Sequence, residues 1–197
     1  MKKCFRYVFI YICVFLCLII SCFVLVMSGT ATPCVTGFAV DMDGALYVGT
    51  YSDIRVYQNN TLARIIRSKY TSGQYRFTLD ENENIVLCTG STCYIMDKLG
   101  NVLEKKDDPG ASMYNQLSRG MFKITSSNGD IYRLKGVLGR THITKNGMQR
   151  VYQISILSVG VKYTYVLCFL SGFVFIPWII YRFKDDAKKE NMLVWPE

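Results

Sequence analysis

The stretch Phe38-Ala-Val-Asp41-Met-Asp-Gly44-Ala-Leu-Tyr-Val48-Gly-Thr50 decides how the rest of the chain is read. It holds a strand-like start, a polar turn and a second strand, and this grammar recurs. Phe77-Thr-Leu-Asp80 comes 39 residues after its counterpart Phe38-Ala-Val-Asp41, and Phe122-Lys-Ile-Thr125 comes 45 residues later again. Polar turns follow at Met42–Gly44, Glu81–Glu83 and Ser126–Gly129, and second strands at Leu46–Val48, Ile85–Leu87 and Ile131–Arg133. Third strands at Ile54–Tyr57, Tyr94–Met96 and His142–Thr144 lead into tight turns at Asn59-Asn60, Leu99-Gly100 and Asn146-Gly147, and then into fourth strands. Asn-Gly favours a hairpin turn because both central residues need positive φ. Repetition at 20–50 residues marks an architecture built from like units. The pattern predicts a mainly β domain over residues 33–156, made of three four-stranded antiparallel meanders at about 34–74, 75–118 and 119–156. Period-2 alternation in most strands predicts one buried and one solvated face.

Gly44-Ala-Leu-Tyr-Val-Gly-Thr50, then Ile54–Tyr57, a turn and Leu62, repeated about every 40 residues, resembles the blades of a β-propeller, similar to NHL and quinoprotein-type repeats. The resemblance covers roughly Cys34 to Ile156 and implies three propeller-like repeats. Quinoprotein blades carry a docking Trp, and residues 33–156 contain none, so no cofactor is expected. Closed propellers use four to eight blades. Three would leave strand edges that invite pairing, to be met by a compact repacked meander, by a homodimer or by a protein partner. The segment Asp107–Gly120 is expected to pack over an edge.

Outward from this domain lie two uncharged apolar runs, Tyr7–Met27 and Tyr163–Tyr181. At about 1.5 Å per residue, the first makes a helix of roughly 31 Å, enough to cross a hydrocarbon core. Basic residues before it and Ser28–Ala31 after it also suit a cleaved signal peptide, but its length exceeds the usual signal core, so an uncleaved transmembrane helix over 7–27 is expected. The second span, 163–181, carries Tyr163, Tyr165, Trp178 and Tyr181 at belt positions, and Pro177 near its far end. Lys2, Lys3 and Arg6 precede the first span, and Arg182, Lys184, Lys188 and Lys189 follow the second. The positive-inside rule then predicts a cell-membrane protein with residues 1–6 and 182–197 cytoplasmic and 33–156 outside. Within the spans, Cys13, Cys17 and Ser21 share one helix face, with Ser171 and Gly172 as candidates to meet it, since small residues allow close helix approach.

Candidate chemistry is sparse. Cys88 and Cys93 bracket Thr89–Thr92 and would oppose one another in a hairpin with a four-residue loop, within disulfide reach. Asp41-Met-Asp43-Gly44 has the look of a calcium loop but lacks a downstream bidentate Glu, and its turn geometry explains it. The Cys88–Cys93 spacing has no second ligand pair nearby and His142 is the only histidine, so no zinc is expected; with the calcium reading set aside no metal is expected, and no catalytic constellation accompanies His142. Charge is more telling. Residues 119–156 hold Arg119, Lys123, Arg133, Lys135, Arg140, Lys145 and Arg150 against Asp130 alone, whereas 33–118 is slightly acidic. This basic third repeat is a candidate surface for anionic lipid or an envelope polymer. Nucleic acid is not expected as a partner, because no recognition module is present.

These readings lead to a two-pass membrane protein, not an enzyme, that presents its β domain as a binding or assembly module, as a subunit of a larger membrane complex. The alternatives are an envelope enzyme whose site assembles only in the fold, and a sensor acting through a cytoplasmic partner.

Overall fold

A computed structural model describes residues 2–137 and 140–192, apart from the side chains of 2–5, 137 and 186–192. The side chains of Lys2, Lys3, Lys188 and Lys189 therefore lie outside the described set. The chain forms two compact units, Val26–Val159 and the helical remainder.

The larger unit contains three four-stranded antiparallel sheets, each a simple up-and-down meander. The first comprises β1 (Gly37–Val40), β2 (Leu46–Gly49), β3 (Ile54–Gln58) and β4 (Thr61–Ile66). The second comprises β5 (Arg76–Leu79), β6 (Ile85–Thr89), β7 (Thr92–Met96) and β8 (Val102–Asp107). After a 3₁₀ turn and α2 (Ser112–Gly120), the third is built from β9 (Lys123–Thr125), β10 (Ile131–Val137), β11 (Arg140–Lys145) and β12 (Gln149–Gln153).

One turn is used four times. At Asp41, Asp80, Asp97 and Ser126 the backbone N–H donates to the carbonyl four residues on, and the N–H three residues on donates back. The fourth position of each needs positive φ and is Gly44, Glu83, Gly100 or Gly129. The Asp80 and Asp97 carboxylates each accept backbone bonds from the residues two and four positions on, and Asp41 accepts from Ala45 N at 2.7 Å. These side chains mimic backbone acceptors within the turn, which is what the Asp41–Gly44 spacing encodes.

The first sheet is the middle layer. Register places Tyr47 beside Val56, and Leu46 beside Tyr57, on opposite faces. Ala39, Tyr47, Ile54 and Val56 pack with Phe77, Ile85, Leu87 and Met96 of the second sheet. Phe38, Leu46 and Val48 pack with Tyr132, Ile143 and Tyr152 of the third. β2 is buried at every position, so its continuous apolar run has a core on both sides. The outer face of the second sheet is covered by α2, whose Tyr114 and Leu117 meet Val86, Cys88 and Cys93. The segment expected over an edge thus lies over a face. Met113 and Leu117 recur at i and i+4, a helical spacing hidden in a stretch that breaks the β repeat. A cavity of about 460 Å³ lies where α2 meets Phe38 of β1, Phe77 of β5 and Ile124 of β9.

The two ends of this unit are tied together. Thr32 N–H donates to Ser158 Oγ at 2.7 Å, both residues being buried. Asp53, fully buried, accepts from the Thr50 hydroxyl at 2.7 Å and from Arg55 Nε at 3.1 Å, and Arg55 also donates to the carbonyl of Gly29.

The helical unit contains α1 (Lys2–Met27) and most of α3 (Ile156–Met192), which runs through Pro177. Both are long and apolar enough to cross a membrane. They lie antiparallel: Tyr11 stacks on Phe175 with ring centroids 3.7 Å apart, and Tyr7 sits edge-on to Trp178.

Gly49 has an ordinary φ yet no room for a side chain. A Cβ there would stand 2.4 Å from Thr36 Oγ1 and 2.7 Å from Phe77 Cε1. Gly49→Ala is therefore expected to cost about 1–3 kcal/mol by overpacking, whereas Gly44→Asn, at positive φ with open space around it, is expected to cost well below 1 kcal/mol. Thermal unfolding of the solubilised chain followed by circular dichroism separates the two.

Candidate interaction surface

The outer face of the third sheet gathers five of the seven basic candidates. Arg133 pairs across the ladder with Lys123 on β9 and with Thr144 on β11, and Thr144 in turn with Arg150 on β12. The next row holds Lys135, His142 and Gln153, and Arg140, two residues before His142 on β11, joins the same face. Lys123, Arg133, Lys135, Arg140 and Arg150 are all exposed. A bulge at Val151 keeps Arg150 on this face, where its guanidinium donates to Gln153 Oε1 at 2.8 Å. No Asp or Glu occurs in β9–β12.

The other two basic candidates stand apart. Arg119 is exposed in the last turn of α2. Lys145 lies in register with Tyr132, on the core side, and forms an ion pair with Asp130 at 2.6 Å. That pair, followed by the Asn146 amide, holds the Asp130 carboxyl below its ordinary value, and raises the Lys145 ammonium above its own. His142 is half-buried between Lys135 and Gln153, with Nδ1 3.5 Å from the Arg140 carbonyl.

Cys88 and Cys93 are joined by a disulfide. Thr89 and Thr92 pair with one another, so the connection is a two-residue Gly90-Ser91 turn, shorter than the four-residue loop the spacing suggested. Gly90 takes positive φ at its first position, as a II′ turn requires. The adjoining Cys88–Cys93 pair is then a non-hydrogen-bonded one, where side chains approach most closely. Cys34 carries an exposed thiol.

The helix seam differs from the expected small-residue face. Cys13, Cys17 and Ser21 are exposed. The less exposed positions of α1 among the described side chains are Val8, Tyr11, Phe15, Ile19, Cys22, Leu25 and Val26, spaced mostly by three and four so that they form one stripe. Ser171 does sit at the seam, within 2.8 Å of the Tyr11 hydroxyl, and Gly172 is half-exposed with open space at its Cβ position. A tyrosine that hydrogen-bonds across the pair and stacks on Phe175 determines the contact in place of close backbone approach.

Sequence reading missed four residues that hold the unit in shape. Asp108, buried at the start of α2, accepts from Ser112 Oγ at 2.8 Å and from the backbone N–H groups of Met113 and Tyr114 at 3.1 Å each. Burial alone would raise its carboxyl, but these donors outweigh it and hold the group below its ordinary value. Asp53 and Tyr75 form the second point: the Tyr75 hydroxyl donates to the Asp53 carbonyl at 2.7 Å, and burial pushes its phenol upward. Tyr152, buried against Tyr57, is pushed up to about 12 by burial and then by that neighbour. Asp108 was visible in the sequence as the residue before Pro-Gly, four positions ahead of Ser112. Asp53 and Tyr75 carried no local signal.

No family model matches the chain, and no curated protein matches it. Among solved structures, a protein of unknown function from Bacteroides caccae is similar with a TM-score of 0.28 and 12% identity, over 61% of this chain and 45% of that one. The chain spans less than half of that protein's length, and a likeness this loose carries no argument about either.

Two outcomes test this account. Because the Asp108 carboxyl is lowered, its stabilisation is complete above its unfolded value near pH 3.9 (about) and is lost as the pH falls through the folded value. Asp108→Asn is expected to melt below the parent at pH 7, with the two curves converging in strong acid. In the helical unit, Tyr11→Ala is expected to loosen α1 from α3, and Cys13→Leu with Cys17→Leu to leave them paired. Cross-linking yield between cysteines placed on the two helices reads both.

Proposed function

We propose that this chain is a two-pass membrane protein that holds its β unit on the outer side of the membrane as a binding or assembly module. The observation that carries this reading is the clamp between Thr32 and Ser158. It brings the exits toward α1 and α3 to one place on the β unit, as expected for a domain inserted between two antiparallel spans. The seam of Tyr11, Ser171 and Phe175 supports the same arrangement. The basic flanks support cytoplasmic termini with residues 33–156 outside.

Within this reading the three sheets act as propeller-type blades. Each is a meander of four strands, and the first strands of all three contribute to one cavity. Sheet stacking and α2 cover much of the surface that three isolated blades would expose, so the unit serves as a compact monomer that presents a face to a partner. The module acts by binding, without chemistry of its own.

The sequon Asn59-Asn60-Thr61 supplies a topology reporter, since Asn59 and Asn60 are exposed at positive φ in the β3–β4 turn. Translated into microsomes, the full chain is expected to gain one glycan that Asn59→Gln abolishes, and to protect a fragment spanning 33–156 from added trypsin. An unglycosylated chain with that region digested would overturn the topology.

A further inference from the structure

We propose that the outer face of β9–β12 binds anionic phospholipid headgroups through Lys123, Arg133, Lys135, Arg140 and Arg150. The proposal rests on the membrane reading above and deepens it by naming the face and its ligand.

Like charges directly opposite one another across a sheet are destabilising, and Lys123 faces Arg133 in register. Arg133 and Arg150 stand on either side of Thr144. The core does not require this pattern, because the residues the sheet gives to the core, Tyr132, Ile143 and Tyr152, lie on its other face. The one acid of the third repeat, Asp130, is already engaged by Lys145 and by the Asn146 amide. The charge is therefore left facing outward at some cost to folding, which is the mark of a surface kept for binding.

The form of the charge argues for a plane of anions. Strands about 4.8 Å apart, with side chains on one face repeating about every 6.8 Å, set the five cations on a rigid two-dimensional grid. A headgroup layer offers negative charge in two dimensions, and basic residues near such a layer are drawn to it by its surface potential. The covalent path also favours this ligand. Arg150 lies six residues before Ile156, where the apolar α3 begins, so the intervening chain reaches at most about 20 Å.

The test uses the full chain in nanodiscs of POPC alone and of POPC with POPG at about 3:1, at low salt. Amine acetylation is followed residue by residue by mass spectrometry. Lys123 and Lys135 are expected to react at least threefold more slowly (~) in the POPG discs and to regain the POPC rate at high salt, as screening requires. Lys105, exposed on β8 of the second sheet, is expected to react equally in both. A variant carrying Arg133→Gln, Arg140→Gln and Arg150→Gln should lose the POPG effect at Lys123. It should also melt close to the parent, since relief of the like charges offsets loss of the exposed Arg150–Gln153 bond, which separates lost binding from lost folding. Equal rates at Lys123 and Lys135 in the two discs would overturn the proposal, as would equal slowing at Lys105. Protection by soluble polyphosphate in POPC discs without protection by POPG would overturn it in favour of a polymer ligand. A chain that fails to enter either disc overturns the membrane reading itself.

Discussion

A strand buried on both faces needs a core on each side of it, and β2 is that strand here. Leu46, Tyr47 and Val48 are all buried, with alternate side chains committed to different neighbours. An antiparallel sheet usually solvates one face. The first sheet has given up that option, so it can fold stably only when the second and third sheets are both in place. Gly49 continues the same constraint, because the ring of Phe77 occupies the space its side chain would need. The three repeats are thus unequal in role although alike in grammar: one is interior, and two are outer layers with one face each left to manage.

The outer layers resolve that problem differently. The second sheet hides an apolar outer face, Val86 with the Cys88–Cys93 disulfide, beneath α2. Asp108 fixes where that helix starts, and Arg76 reinforces it by donating to Ser118 at 3.2 Å and lying over the Tyr114 ring. The third sheet needs no cover because its outer face is cationic. Its core side supplies Tyr132, Ile143 and Tyr152, and burial of their apolar area stabilises the stack at about 25 cal/mol per Å². The same strands therefore satisfy the core and the surface independently, through alternation alone.

Much of this was legible because a period-2 pattern and a recurring turn are both local. Asp41, Asp80 and Asp97 announce their turns by their own side chains, and the three four-stranded sheets follow from counting strands between them. The layer order was not legible. Whether Phe38 or Ala39 meets the second sheet depends on contacts between residues far apart in sequence, and nothing in the spacing of the repeats places the first sheet between the other two. α2 escaped notice because the repeat grammar offers no slot for a helix. The seam between α1 and α3 was misplaced for a related reason: small residues suggested close approach, whereas the Tyr11 hydroxyl and the ring of Phe175 form a polar and aromatic contact that no spacing rule anticipates. The composition of the third repeat did reveal its charge, but separating Lys145 from Lys135 required the register.

Charges fixed on strands behave differently from charges on a flexible tail. A tail relieves its repulsion by extending, and must lose that freedom when it binds. On β9–β12 the backbone has already set the spacing, so the folded chain bears the repulsion at all times and a ligand recovers it without further ordering of the main chain. Binding of that kind is favoured by preorganisation, and it depends on the stack behind it. Tyr132 and Ile143, locked between the sheets, hold Arg133 and His142 in place from the opposite side of the same strands. The doubly buried β2 thus reaches the surface through two layers: by giving the third sheet a core to pack against, it fixes the grid on which the cations stand.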